Sequence, residues 1–256
     1  MISQPKADIS LYSIAMTKYR EIPWPRIAAE GAVIVVSILM AFAIDTWWQD
    51  RTKAEEAHAL LVSLRVDFQA SQSHVEVWLA GNKRILRAST DFLDQLRNTG
   101  IDEELLVPID WLVATIGGPT YSPTDSTLRT AISSGQIKLI EDVELRTLLA
   151  KWSQQLDDTQ EDEILIREIV VNQLVPAISK QIRLGLAFDF DTMVSWFAEQ
   201  ADLDVDQEFR IRATTILEGA LAERTFYLNF VVGGLGEIKT TQAEILRLLD
   251  KAIAKN

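Results

Sequence analysis

The chain has 256 residues, a net charge of −12 and no cysteine, which leaves room for one domain of about 200 residues plus an anchor. The missing cysteine excludes disulfides, a thiolate nucleophile and cysteine-built zinc sites. Up to Ile44 four basic side chains stand against three acidic ones, a net of +1, so the remainder carries −13 and repels phosphate backbones, which argues against nucleic acid as a partner.

Residues 1–26 read as a short, loosely ordered arm, with Pro23 and Pro25 blocking helix just before an apolar run. Residues 27–48 follow as one membrane-spanning helix. Gly31–Ile44 holds no charge and a single hydroxyl, that of Ser37, and 22 helical residues rise roughly 33 Å against a hydrocarbon core of about 30 Å. Trp24 at one end and Trp47 with Trp48 at the other are placed for the headgroup region. Glu30 and Asp45 sit at the two ends, where charges are interfacial and hydrated. Ser37 and Ala41, four residues apart, form a small-residue pair suited to close helix packing, as do Ala28 and Ala32. The alternatives are a buried helix of a soluble domain, and a cleaved signal peptide ending at Ala41-Phe42-Ala43. Against cleavage stand the long region before the apolar run and a helical pattern that continues past Asp45. Lys18, Arg20 and Arg26 precede the span and Arg51 and Lys53 follow it, a slight bias toward a cytoplasmic N-terminus and a domain outside the inner membrane.

Residues 49–256 read as an acidic α-helical domain. Ala57, Leu60, Leu61, Leu64, Phe68, Val75, Trp78 and Leu79 recur at helical spacing, so the membrane helix is expected to continue as a stalk. Gly81-Asn82 is expected to break it, with a second amphipathic helix through Ile85, Phe92 and Leu96 and a third over Asp102–Thr115. Ser122-Pro123-Thr124-Asp125 opens another, closed by Gly135 at the C′ position. A long helix is expected from Asp142 to about Leu174, with Pro176 kinking it. Phe188–Phe197 reads as a short helix or turn. From Phe209 a helical pattern runs through Leu217, Leu221 and Phe230, is broken at Gly233–Gly236, and resumes from Ile238 to Ile253. No sustained two-residue alternation is evident, so the fold class is all-α: one N-terminal transmembrane helix, a stalk and a multi-helix, bundle-like domain.

Candidate chemistry is sparse. His58 and His74, the only imidazoles, fall about 160° apart around one helix and cannot share a metal. Asp202, Asp204 and Asp206 imitate the start of a calcium loop, but Gln207 and Ala213 replace its Gly and Glu. Asp157-Asp158 and Glu161-Asp162-Glu163 read as a charged face in water. Gly233-Gly234-Leu235-Gly236 lacks the ending of a phosphate loop and reads as a helix–helix turn. Ser133, Ser134 and Ser153 have no nucleophile-elbow context. No catalytic, cofactor or metal residue is nominated, and no enzyme activity is expected.

Glu30, Ile38-Leu39, Ala41, Ile44-Asp45, Trp47 and Arg51 stand in the order of a membrane-helix signature, and Leu128, Ser134-Gly135, Leu139-Ile140 and Leu145-Arg146 form a second match. On these residues, about a quarter of the chain, it resembles an uncharacterised family of bacterial single-pass membrane proteins defined only as a domain of unknown function. Asp45 stands where that family usually has Asn, and Ser37 where it usually has Gly. The resemblance implies membrane anchoring and a helical outer domain, and brings no reaction, cofactor or catalytic residue.

Two functions compete at this level. The first is an interaction or scaffold protein of the bacterial envelope, with the lipid bilayer as one partner, a homodimer through the membrane helix as a second and another envelope protein as a third. The other is an extracytoplasmic sensor of a small ligand. Its arm of about 26 residues leaves no room for an effector domain, so it is expected to signal through a partner protein. A membrane-tethered hydrolase ranks third, with no catalytic constellation behind it. A deep polar pocket would favour the sensor, and a smooth core with an exposed apolar stripe the scaffold.

Overall fold

The computed structural model describes residues 24–118, 120–187 and 207–255; the arm before residue 24, the segment Phe188–Phe197 and the acidic triplet Asp202, Asp204 and Asp206 lie outside them. Among the described residues the chain is all-α apart from one small sheet, and it divides into two units, residues 1–52 and 53–256. Helix α1 spans Trp24–Asn98, β1 Glu104–Pro108, α2 Ile109–Ile116, α3 Ser126–Ser134, α4 Val143–Ile169, α5 Val175–Ser179, α6 Leu184–Ala187, β2 Glu208–Arg212 and α7 Thr215–Lys255.

Within the unit 53–256 the organising elements are the long helices. Arg65 pairs with Asp250, Glu76 with Lys239, and Ser89 receives a hydrogen bond from Arg224, so α1 and α7 run antiparallel. Gln155 bonds Glu237 and Gln173 bonds Glu223, so the α4 side runs antiparallel to α7 as well. Leu60, Leu61, Leu64 and Phe68, expected on a stalk, are buried, with Phe68 lying 4.9 Å from Trp152 between ring centroids. From Leu60 onward α1 is therefore part of the bundle, because its apolar stripe finds cover on α4 and α7.

Two expected breaks do not occur. Helix α1 passes through Gly81-Asn82 without interruption; Asn82 is buried and its side-chain amide donates to the Trp78 carbonyl one turn back, 3.0 Å away, which satisfies it inside the helix. Helix α7 passes through Gly233–Gly236. At Gly234 a Cβ would stand 2.3 Å from the Thr159 hydroxyl of α4: this glycine is a packing contact that lets two helices approach, not a turn. The expected third helix is also corrected. Glu104–Pro108 is a strand paired antiparallel with Glu208–Arg212, with Leu105 opposite Ile211, and Phe209 belongs to that strand instead of a helix. Leu105, Val107 and Ile211 point into the core while Glu104, Arg210 and Arg212 face water, a two-residue alternation spread over only five residues.

Other expectations hold. Asp142 caps α4, accepting from the Leu145 N–H at 3.1 Å. Gly135 ends α3 with φ of +77°, a left-handed conformation that glycine adopts without cost. Pro176 disturbs the long helix as expected, by a specific route. It has no N–H to give the Asn172 carbonyl, and over Val170–Leu174 the chain widens, the Val175 N–H reaching back five residues to the Val170 carbonyl.

The glycine cluster separates packing from propensity. Gly234→Ala is expected to cost about 1–3 kcal/mol despite the better helix former, because the methyl meets Thr159. Gly233→Ala, with nothing within 4 Å of its Cβ, is expected to gain about 0.5–1 kcal/mol. Adding Thr159→Ala to Gly234→Ala should recover much of the loss. Urea unfolding of the three variants checks this; equal effects at 233 and 234 would contradict the packing account.

Candidate functional site

Helix α1 contains an 18-residue window of mean hydropathy 2.0, long and apolar enough to cross a membrane, and none of it is buried in this chain. Val33, Leu39, Phe42 and Ile44 are each at least 60% exposed, so the soluble-core reading finds no cover among the described residues. Ser37 satisfies its hydroxyl on the Val33 carbonyl at 2.8 Å, leaving a small apolar surface beside Ala41. Asp45 accepts from Gln49 at 2.8 Å, and the rings of Trp47 and Trp48 lie exposed, 6.4 Å apart. Trp24 opens the helix and Glu30 is exposed on its first turns. Glu30, Asp45, Trp47 and Trp48 thus lie exposed on one continuous helix.

The second feature was not visible as a site in the sequence. Glu163 and Arg224 line one cavity of about 180 Å³, together with Asn82, Gly117 and Gly118 and the apolar side chains of Ile166, Val170, Leu228 and Val231. Arg224, on α7, is 0% exposed. It donates through Nη1 to Ser89 Oγ at 2.8 Å and through Nη2 to the Gly117 carbonyl at 2.7 Å, and its Nε has no partner within the protein. Among the described residues no carboxylate is ion-paired with it. Burial lowers its pKa to about 10, since a dry guanidinium is costly.

Glu163, on α4, is 8% exposed. Its Oε1 accepts from the Tyr121 N–H at 3.0 Å, and its Oε2 has no protein partner. Burial raises its pKa to about 7, opposed by the Tyr121 N–H and by the charge of Arg167. Tyr121 itself is buried, its hydroxyl unpartnered and its pKa pushed up by burial and by Asp125. The acidic run is therefore corrected at one position: Asp157 and Glu161 face water, and Glu163 faces the core.

A larger cavity of about 570 Å³ lies beside the widened turn after α4, lined by Glu104, Lys180, Arg210 and Arg212 among others. Its charged groups are solvent-exposed, with Glu104 pairing Arg210 at 3.3 Å and Arg212 at 3.7 Å, so water already solvates them. The widened turn borders both cavities: Val170 and Val171 line the smaller, Asn172 and Gln173 the larger.

No set of three His, Cys, Asp or Glu side chains able to hold a metal occurs among the described residues. His58 and His74 are exposed on α1, and the Ser133 hydroxyl is spent on the Thr130 carbonyl at 3.1 Å. What the smaller cavity offers is binding: a cation with an unused N–H, a carboxyl with an unused oxygen, and aliphatic walls. No family model, no curated protein and no solved structure matches this chain.

Glu163 makes stability depend on pH. Its ordinary value is 4.5 and its folded value about 7, so between these the folded chain holds a proton that the unfolded chain has released. The burial cost is absent below about pH 4.5, grows as pH rises through 7, and reaches at most about 3 kcal/mol. Asp110 and Asp162 are shifted in the same direction. The Glu163→Gln variant is expected to flatten the fall in Tm between pH 5 and pH 8 and to exceed the parent at pH 8; parallel profiles in scanning calorimetry would contradict a buried, proton-holding Glu163.

Proposed function

We propose that this chain is a single-pass, membrane-anchored helical interaction protein of the bacterial envelope, with a cytoplasmic N-terminus and the unit 53–256 on the far side of the inner membrane. The observation that carries the anchoring is the uncovered apolar stretch of α1 with tryptophans at its end; such a surface calls for lipid or a protein partner. The contact role is supported by Ile216, Phe226 and Phe230 on α7, which are more than half exposed. Phe226 and Phe230 stack edge to face at 4.9 Å on the outer side of the helix, where aromatic anchors suit a partner. Ser37 and Ala41 supply a face through which two spans would meet as a homodimer.

A second reading, a solute sensor acting through a partner protein, is favoured by one observation: the cavity holding Glu163 and Arg224 with their unpaired atoms. A smooth apolar core would have no use for either group.

Leu39→Arg places a charge in the middle of the uncovered stretch, at a cost of about 2.5–3.5 kcal/mol for insertion. Expression in bacteria followed by carbonate extraction should show the parent in the membrane fraction and the variant released or lost. Normal carbonate-resistant retention of the variant would overturn the anchor. For orientation, alkaline phosphatase fused after Asn256 should be active, and an inactive enzyme there with a working cytoplasmic reporter would reverse the proposed topology.

A further inference from the structure

We propose that the cavity between Glu163 and Arg224 binds a small organic monocarboxylate with a short branched aliphatic tail. This rests on the second reading, that of a solute-binding domain, and is independent of the anchor. Arg224 is wholly buried, yet its two protein acceptors are neutral, a hydroxyl and a backbone carbonyl, and its Nε has none. A buried cation is retained at this cost when an anion completes it, and among the described residues none does. The acidic side chain that lines the same cavity, Glu163, forms no ion pair with it and keeps Oε2 unpartnered.

Size and wall chemistry narrow the class. A cavity of about 180 Å³ is close to the roughly 150 Å³ that accommodates benzene, so the ligand has about seven non-hydrogen atoms. The apolar walls are Ile166, Val170, Leu228 and Val231, which suit a branched aliphatic tail. Arg224 Nε, which has no protein partner, is the donor left for an incoming carboxylate. Glu163 holds its proton into the neutral range and can donate through Oε2 to the other oxygen; once ionised it would repel the same ligand. Arg167, whose Nη2 is held by the Thr120 hydroxyl at 3.2 Å, lines the same cavity and adds a second positive charge.

The test uses the full chain in detergent, in a buffer free of carboxylates, with three probes: isovalerate, its neutral isostere isovaleramide, and isopentylamine. Thermal unfolding and titration calorimetry at pH 6 should show stabilisation by isovalerate in the low millimolar range, with no comparable shift from the other two. Arg224→Met should weaken isovalerate binding at least about tenfold, the loss expected for hydrogen bonds to a charged group. If that variant fails to fold, the comparison of the three probes on the native chain decides alone. Stabilisation by isopentylamine or isovaleramide instead would overturn the carboxylate assignment while leaving solute binding standing. No stabilisation by any probe would overturn both and mark the cavity as a structural, hydrated pocket. Equal isovalerate binding by a folded Arg224→Met would also overturn the proposal.

Discussion

The constraint on which the folded unit turns is the burial of the Arg224 guanidinium. Removing such a cation from water costs several kcal/mol, and each hydrogen bond to a charged group returns about 1.5–3 kcal/mol. Its two bonds reach Ser89 on α1 and the Gly117 carbonyl just after α2, so one side chain of α7 fixes two other elements. The remaining cost falls on the surrounding cores, where Phe92, Leu112 and Leu217 on one side and Phe68, Trp152 and Leu235 on the other are almost wholly removed from water. A protein retains such an arrangement at the expense of stability, which is why we read it as functional.

The approach of α4 to α7 sets the cavity wall. Gly234 allows the two helices to close on Thr159, and Glu163 follows one turn later on the same face of α4 as Leu149, Trp152 and Leu156. Beyond it, the widened turn at Val170–Leu174 redirects the chain before Pro176. Packing, charge burial and backbone geometry therefore meet within a few turns. The apolar stretch of α1 raises a separate question, because none of it is covered by the described residues.

Much of the fold was legible in the sequence. The helical class followed from apolar spacing, and the ends of α3 and the start of α4 from Gly135 and Asp142. Glycine was the main source of error: Gly81 and the Gly233–Gly236 cluster read as breaks but lie inside helices, and at Gly234 local propensity could not show that a neighbouring helix requires the missing side chain. The strands were missed for a different reason. Glu208-Phe209-Arg210-Ile211-Arg212 alternates plainly, but five residues are too few to stand out beside a 41-residue helix. The site residues did leave a signal. Glu163 stands in register with Trp152, Leu156 and Thr159, and Arg224 with Leu217, Leu221, Leu228 and Val231; a charge on an apolar register is a buried charge. Counting Glu163 with its acidic neighbours concealed that register.

The central claim is that Glu163 is buried against a cavity that also holds a cation, and does not face the solvent its sequence neighbours share. Side-chain carbon NMR of the selectively labelled glutamates, followed from pH 3 to pH 9 in the full chain, tests it most directly. The account predicts one carboxyl titrating near 7, well above the ordinary 4.5, and absent from the Glu163→Gln spectrum. A Glu163 signal titrating at the ordinary value, together with the rest, would contradict it.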